Sequence, residues 1–172
     1  LEIPQQLPIM QVKRFPAKNS MTLGIISDTH GLLRPEALDA LTGVDHILHA
    51  GDIGAPEIIP RLEALAPVTA IRGNVDRAAW ASTFPSTALV ELGGKIFYLV
   101  HALEWLDLDP AAAGFDAVIH GHSHQPARSE KEGLLYFNPG SAGPRRFQLP
   151  VCLAKLWIRP GGEMETEWIY LI

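Results

Sequence analysis

The chain reads as an α/β protein of two packed mixed β-sheets with helices on their outer faces, and three observations predict this. Apolar strand-like runs alternate with helical segments through residue 76, and hairpin signals built on glycine turns dominate the rest. Of the 172 residues, 47% are apolar, which suits one domain with a sizeable core.

Leu23-Gly24-Ile25-Ile26 is a short apolar run that opens into polar Ser27-Asp28-Thr29-His30-Gly31, as a buried strand opens into a loop. Pro35 suits the first turn of a helix in which Ala37, Leu38 and Leu41 recur at helical spacing, and Gly43 stops it. A second strand, His46–His49, runs into Gly51-Asp52. Pro56 starts the next helix, with Ile58, Leu62 and Leu65 on one face; Pro60 removes a donor and should kink its first turns. Residues 68–71 make a third strand ending at Arg72-Gly73-Asn74-Val75-Asp76. Strand, helix, strand, helix, strand implies a parallel sheet whose carboxyl-end loops gather in one crevice.

Residues 77–81 read as a short helical piece. Thr87–Leu92 and Lys95–Val100 flank Gly93-Gly94, a hairpin signal, and the second of them ends at His101. Residues 111–113 are a brief alanine helix closed by Gly114. Ala117–Ile119 is a strand running into His120-Gly121-His122-Ser123-His124. Residues 127–131 and 134–137 turn about Glu132-Gly133 and lead into Asn138-Pro139-Gly140-Ser141. A last hairpin, 151–158 with 163–171, turns about Pro160-Gly161-Gly162.

Residues 1–20 carry three prolines and no continuous apolar block, so they read as an extension before a domain at 21–172 rather than as a signal peptide or membrane span. The net charge of −5 provides no overall basic field for nucleic acid or an anionic membrane. A single cysteine, Cys152, excludes an internal disulfide framework and a thiolate metal cluster, and suits a reducing cytoplasm, the expected location.

Asp52 taken alone is a turn or cap residue. It becomes a ligand candidate because four other strand ends offer hard oxygen or imidazole donors: Asp28 with His30, Asn74, His101, and His122 with His124. Residues two apart in an extended segment share a side, so each Asp-x-His or His-x-His pair is expected to point into one crevice. Mixed imidazole and carboxylate sets suit Zn, Mn, Fe or Ni rather than Mg or Ca.

Asp28-x-His30, Gly51-Asp52, Gly73-Asn74-x-Asp76, His101 and Gly121-His122-Ser123-His124 together resemble the calcineurin-like metallophosphoesterase superfamily. The likeness runs over essentially 21–172. Within it the chain resembles the small single-domain prokaryotic phosphodiesterase branch, which also carries Asn-Pro-Gly-Ser, here residues 138–141. That resemblance implies a four-layer αββα sandwich. It also implies that Asp28, His30, Asp52 and His124 hold one divalent transition metal and Asp52, Asn74, His101 and His122 a second, with Asp52 bridging and Mn favoured over Ni, Zn or Fe. Asp52 and Asn74 are thus the catalytic candidates, and Asn74 and Arg145 the substrate-binding ones. Two ions about 3.5–4 Å apart can share a hydroxide made available near neutral pH, and two ionised Asp, four neutral His and one Asn leave the site at about +2 before hydroxide is counted.

Two positions depart from the superfamily pattern. Val75 stands where many members carry a His that helps the leaving group, so good leaving groups are expected to be preferred. Ala102 stands where Gly is common. Arg72 and Arg146, like Arg145, are free to meet phosphate or to pair on the surface. Asn138 and Ser141 read as turn residues, His49 as a support behind the ligands, and Asp76 as a cap of the following helix. The expected activity is hydrolysis of phosphodiesters or activated phosphomonoesters by a binuclear centre. The expected partner is a small phosphate ester, with no membrane, with nucleic acid only as a diester substrate, and with homo-oligomerisation left open. The alternative is a non-catalytic scaffold, because the superfamily also includes a retromer subunit that uses this fold for protein contacts.

Overall fold

The computed structural model describes residues 11–16 and 18–172. In chain order the elements are β1 (Val12–Arg14), β2 (Met21–Ile26), α1 (Pro35–Leu41), β3 (His46–His49), α2 (Ile58–Glu63) and β4 (Val68–Ala70). A 3-10 helix (Ala79–Thr83) then leads to the hairpin β5 (Thr87–Leu92) and β6 (Lys95–Val100). A second 3-10 turn (Leu103–Trp105) precedes β7 (Ala117–Ile119), β8 (Ala127–Lys131), β9 (Leu134–Asn138), β10 (Cys152–Ile158) and β11 (Met164–Tyr170).

Two mixed sheets result. One has the order β11-β10-β2-β3-β4 and the other β1-β5-β6-β7-β9-β8. β2, β3 and β4 are parallel, with Ile26 opposite His49 and His49 opposite Ala70, so the loops that follow them leave one end of the sheet together. β6, β7 and β9 are parallel as well, with Leu99 opposite Ile119 and Ile119 opposite Phe137. Parallel register is what gathers ligands from distant segments at one rim.

Alternate residues of both sheets, including Leu23, Ile25, Val90, Phe97, Leu99, Phe137 and Leu156, close the space between them. Fully burying a side chain of this size contributes roughly 1.5–3 kcal/mol. Ala37 and Leu41 of α1 and Ile58 and Leu62 of α2 pack with Ile26, Ile47 and Leu153 on the outer face of the five-stranded sheet. Pro60 is tolerated because it lies in the first turn of α2, where its missing N–H has no helical partner to bond.

The other outer face is covered differently. Residues 111–113 form hydrogen-bonded turns rather than a helix: the Asp109 carboxylate takes the amides of Ala111 and Ala112, and Ala113 N–H donates to the Asp109 carbonyl. Leu106, Leu108 and Phe115 lie over Leu89, Tyr98 and Val100 on that face. The segment set apart as an extension also takes part in the fold. Val12–Arg14 runs parallel to β5 and edges the six-stranded sheet, whereas residues 1–10 and 17 lie outside the described residues. No helix among the described residues is long and apolar enough to cross a membrane.

Candidate metal centre

The loops at the shared rim are tied to one another before any side chain is considered. Asp28 N–H donates to Gly51 O, His30 N–H to Asp52 O and Gly31 N–H to Ile53 O, so the loop after β2 zips along the loop after β3. Gly121 N–H donates to His101 O, joining the loops after β6 and β7. His122 N–H donates to Asp28 Oδ2 at 3.1 Å and connects the two sheets.

These loops are not extended at the ligand positions. Among the described residues seven non-glycine residues have left-handed φ, and five of them are Asp28, His30, Asp52, His122 and His124. The pairs Asp28/His30 and His122/His124 do converge, but by strained left-handed turns and not by the side-sharing of an extended strand. Strain of roughly 1–3 kcal/mol at each such residue persists only where surrounding bonds over-determine it. Two glycines make room for the close approach: a Cβ on Gly73 would fall 2.1 Å from Asp52 Oδ1, and one on Gly121 2.1 Å from Ser27 Oγ.

The side chains form two groups, Asp28 with His30 and His124, and Asp52 with His101 and His122, each able to bring ligand atoms within 4.8 Å of one another. Asp52 Oδ2 sits between them, 3.6 Å from His30 Nε2 and 3.3 Å from His101 Nε2. Its other oxygen accepts the Val75 amide at 3.1 Å. Asn74 Oδ1 lies 3.2 Å from His122 Nδ1, which brings Asn74 into the second group.

The unpaired atoms test whether a cation fits. His101 Nδ1 donates to Ala50 O at 2.7 Å, so in the neutral ring Nε2 carries the lone pair, and that buried nitrogen has no hydrogen-bond partner. Asp28 Oδ1 and His124 Nδ1 are also buried without partners. His30 Nε2 faces His124 Nε2 at 3.2 Å, and Asp28 Oδ1 lies 3.3 Å from the latter. Buried carboxylate and imidazole atoms without hydrogen-bond partners call for a further partner among them, and this donor set suits a divalent transition metal.

Protonation tells the same story. Burial pulls the His101 pKa down, but the Asp52 carboxylate 3.3 Å from Nε2, with Asp28 and the Ala50 carbonyl, outweighs it and raises it. Burial would push the Asp28 and Asp52 carboxyls up; His124, His101 and Ser27 hold Asp28 below its ordinary value, and His101, the Val75 amide and His30 do so for Asp52. Burial keeps His30 low.

A layer of supports stands behind the ligands. His49 Nδ1 accepts the Gly51 amide at 3.2 Å and its Nε2 meets Thr29 Oγ1 at 3.0 Å, while that hydroxyl donates to Ile53 O. Full burial pushes the His49 pKa down to about 4, so the ring is neutral. Ser27 Oγ donates to Asp28 Oδ2 at 2.7 Å, and Ser141 Oγ to the Asp28 carbonyl at 3.1 Å. Asn138 makes the expected turn by accepting the Gly140 amide, and its Nδ2 also donates to Gly121 O, bracing the His122 loop.

Asp76 does not cap the following helix, whose N-cap is Ala78 without a side-chain bond. It accepts the amides of Ile53, Gly54 and Gly73 at 3.0, 2.9 and 2.8 Å, stapling the Asp52 loop to the Asn74 loop. The signal that could have found this was its position three residues after Gly73, the spacing of a carboxylate that bonds back onto its own turn.

Arg146 approaches the site, with Nη2 3.4 Å from His30 Nε2. Arg145 makes no hydrogen bond to the predicted ligands, and Arg72 donates to the Phe84 carbonyl, away from them. Ala102 is buried, and its Cβ leaves the His101 ring in place.

Two sheets meeting at a rim of Asp, His and Asn donors define a metallophosphoesterase arrangement. Residues 21–159 match the calcineurin-like phosphoesterase superfamily domain, and the chain belongs to that family. A probable metallophosphoesterase of Methanothermobacter thermautotrophicus is 40% identical over 136 residues, which cover 70% of this chain and 77% of that protein. A phosphodiesterase of Methanocaldococcus jannaschii is 29% identical over 139 residues, or 70% of this chain and 83% of its own length. Vacuolar protein sorting 29 from Cryptosporidium parvum superposes with a TM-score of 0.72 at 18% identity, over 88% of this chain and 97% of that one.

Proposed function

We propose that the protein hydrolyses phosphodiesters, activated phosphomonoesters or both at a centre of two divalent transition metals, with Mn favoured among Mn, Ni, Zn and Fe. The observation that carries this reading is Asp52 Oδ2, flanked at 3.6 and 3.3 Å by imidazole nitrogens of both ligand groups. Asp28, His30, Asp52 and His124 would hold one ion, and Asp52, Asn74, His101 and His122 the other. When bound, the ions supply Lewis acidity and a water ionised near neutral pH.

The chain's own groups supply position and charge. The Val75 amide fixes Asp52 Oδ1 and leaves Oδ2 facing His30 and His101. Asn74, beside His122, presents its amide to a phosphate oxygen, and Arg146, with its neighbour Arg145, supplies positive charge at the mouth. The exposed Val75 side chain has no proton to give a departing alkoxide, so aryl esters leave faster than alkyl esters. The name of the Methanocaldococcus relative supports the diester reading. The scaffold alternative draws on likeness of fold alone, and the gathering of all seven candidate donors at one rim supports hydrolysis instead.

The test strips the protein with a chelator, reloads it with each ion, and follows metal content and turnover of 4-nitrophenyl mono- and diesters. Activity is expected only with metal. Asp52→Asn is expected to lose far more than the roughly 10–100-fold typical of groups that merely support a ligand. Full activity in that variant, or turnover indifferent to metal, overturns the mechanism.

A further inference from the structure

A half-open cavity of about 780 Å³ lies between residues 105–115 and the outer face of the six-stranded sheet. Leu89, Tyr98, Val100, Leu108 and Phe115 supply its apolar walls, and Trp105 is the lining residue that also packs against the candidate ligands. The Trp105 ring is shared with the centre: its centroid lies 5.8 Å from that of His101 and 5.8 Å from that of His122. Cavities of roughly 300–1,000 Å³ are the size that takes small organic groups.

The charge around this cavity is one-sided. Asp107 and Asp109 line it, and no Lys or Arg does so among the described residues. The guanidinium near the centre, Arg146, lies across the ligands beside His30. Anionic oxygens are therefore drawn to one side and repelled from the other.

The loops around the centre also expose apolar side chains beside the charged ones. Of seven large hydrophobics exposed among the described residues, five, namely Leu32, Val75, Leu103, Trp105 and Phe147, sit on the loops that carry the ligands or Arg146. Phe147 is 92% exposed and held at a left-handed φ of 52°. Exposed apolar groups clustered at one opening mark a contact surface, whereas scattered ones need no explanation.

We propose that the site selects phosphate diesters in which one ester group is bulky, uncharged and aromatic or otherwise apolar, held by Trp105 and the cavity behind it. This rests on the phosphoesterase reading and adds a specificity-determining residue to it. Trp105 stacks on the planar group, the acidic lining rejects anionic substituents, and the phosphate faces the ligands and Arg146.

Two substrates with the same leaving group isolate this selection: bis(4-nitrophenyl) phosphate and methyl 4-nitrophenyl phosphate. The wild-type kcat/KM ratio is expected to exceed that of free hydroxide attack by about 10-fold or more. Trp105→Ala should collapse that excess, chiefly through KM. Ala112→Trp, which fills the cavity from an exposed position remote from the ligands, should do the same. A second readout avoids turnover: in calorimetry on the metal-loaded protein, diphenylphosphinate should bind about 10-fold more tightly than dimethylphosphinate, and Ala112→Trp should abolish the difference. No hydrolysis by the wild type with any ion overturns the phosphoesterase reading. Hydrolysis with ratios and binding unmoved by both variants overturns this proposal alone. A dimer in sedimentation that Phe147→Ser dissociates, with the ratio unchanged, assigns these exposed apolar side chains to a second copy and also overturns it.

Discussion

The two ligand groups differ in how much of their surroundings is already decided. Asp28 and His124 are enclosed, and Ser27, Ser141 and the His122 amide surround Asp28 with donors. On the other side His101 is enclosed too, but His122 and Asn74 open to solvent beside Trp105, Val75 and the exposed Glu104, whose carboxylate is 3.7 Å from His122 Nε2. The enclosed group is held by bonds that no substrate can supply. The open group has unfilled surroundings, and that is where a substrate finds room. Preorganisation on one side and access on the other is the division expected of the proposed hydrolytic centre.

The open group has a staple of its own, and the largest effect outside the candidate ligands comes from Asp76, which ties the Asp52 loop to the Asn74 loop. Asp76→Ala leaves three backbone amides without their carboxylate, and hydrogen bonds to a charged group contribute about 1.5–3 kcal/mol each before relaxation and water entry. Unfolding in urea should show a loss of roughly 3 kcal/mol or more, and metal titration an affinity about 10–100-fold weaker. A variant that unfolds like the wild type and binds metal equally well would mean that the two loops hold their spacing unaided.

Acid titration of the metal-free protein sharpens the contrast next. Burial holds His46, His49 and His120 down at about 4, against an ordinary 6.5. The native state keeps these rings neutral while the unfolded chain protonates them, so the unfolded state binds more protons as pH falls from 6.5 towards 4. Stability therefore drops over that interval. Asp28 and Asp52, with lowered pKa values, contribute stability above the unfolded carboxylate range that disappears at still lower pH. His101, raised, contributes in the opposite sense: its share is complete below 6.5 and is lost as pH rises through its folded pKa. The expected profile has its steepest fall on the acid side with a shallow decline above neutrality. A urea midpoint unchanged between pH 7 and pH 4.5 would contradict it.

The smallest effect separates the two adjacent arginines. Arg146 reaches His30, and Arg145 makes no hydrogen bond to the ligands. Arg146→Ala should raise KM for a phosphate diester several-fold, and Arg145→Ala should raise it less, because a charge-assisted contact depends on reach. Steady-state kinetics at low salt decide the order, and a larger effect at Arg145 would mean that the bound phosphate lies farther out than His30.

Much of this was legible in the residues. The strand runs from Leu23 and His46, the helix at Pro35 and the hairpin about Gly93-Gly94 follow from local patterning, because hydrophobic period and glycine turns are properties of short windows, and the five blocks of candidate donors stand at strand ends. What patterning missed has a common cause. Residues 111–113 are helix-forming alanines that make a single turn, capped by the Asp109 carboxylate, before Gly114 at a left-handed φ of 79° ends it. Val12–Arg14 carries no strong strand pattern and gains its place by pairing with β5.

The sequence by itself determined which donors this chain owns and the order in which they occur. Only the tertiary structure decided that they converge through left-handed turns, that Asp76 binds two loops together, and that Trp105 forms a wall common to the centre and a cavity. Those relations join residues far apart in the chain, and they exist only once two parallel registers have brought five loops to the same rim.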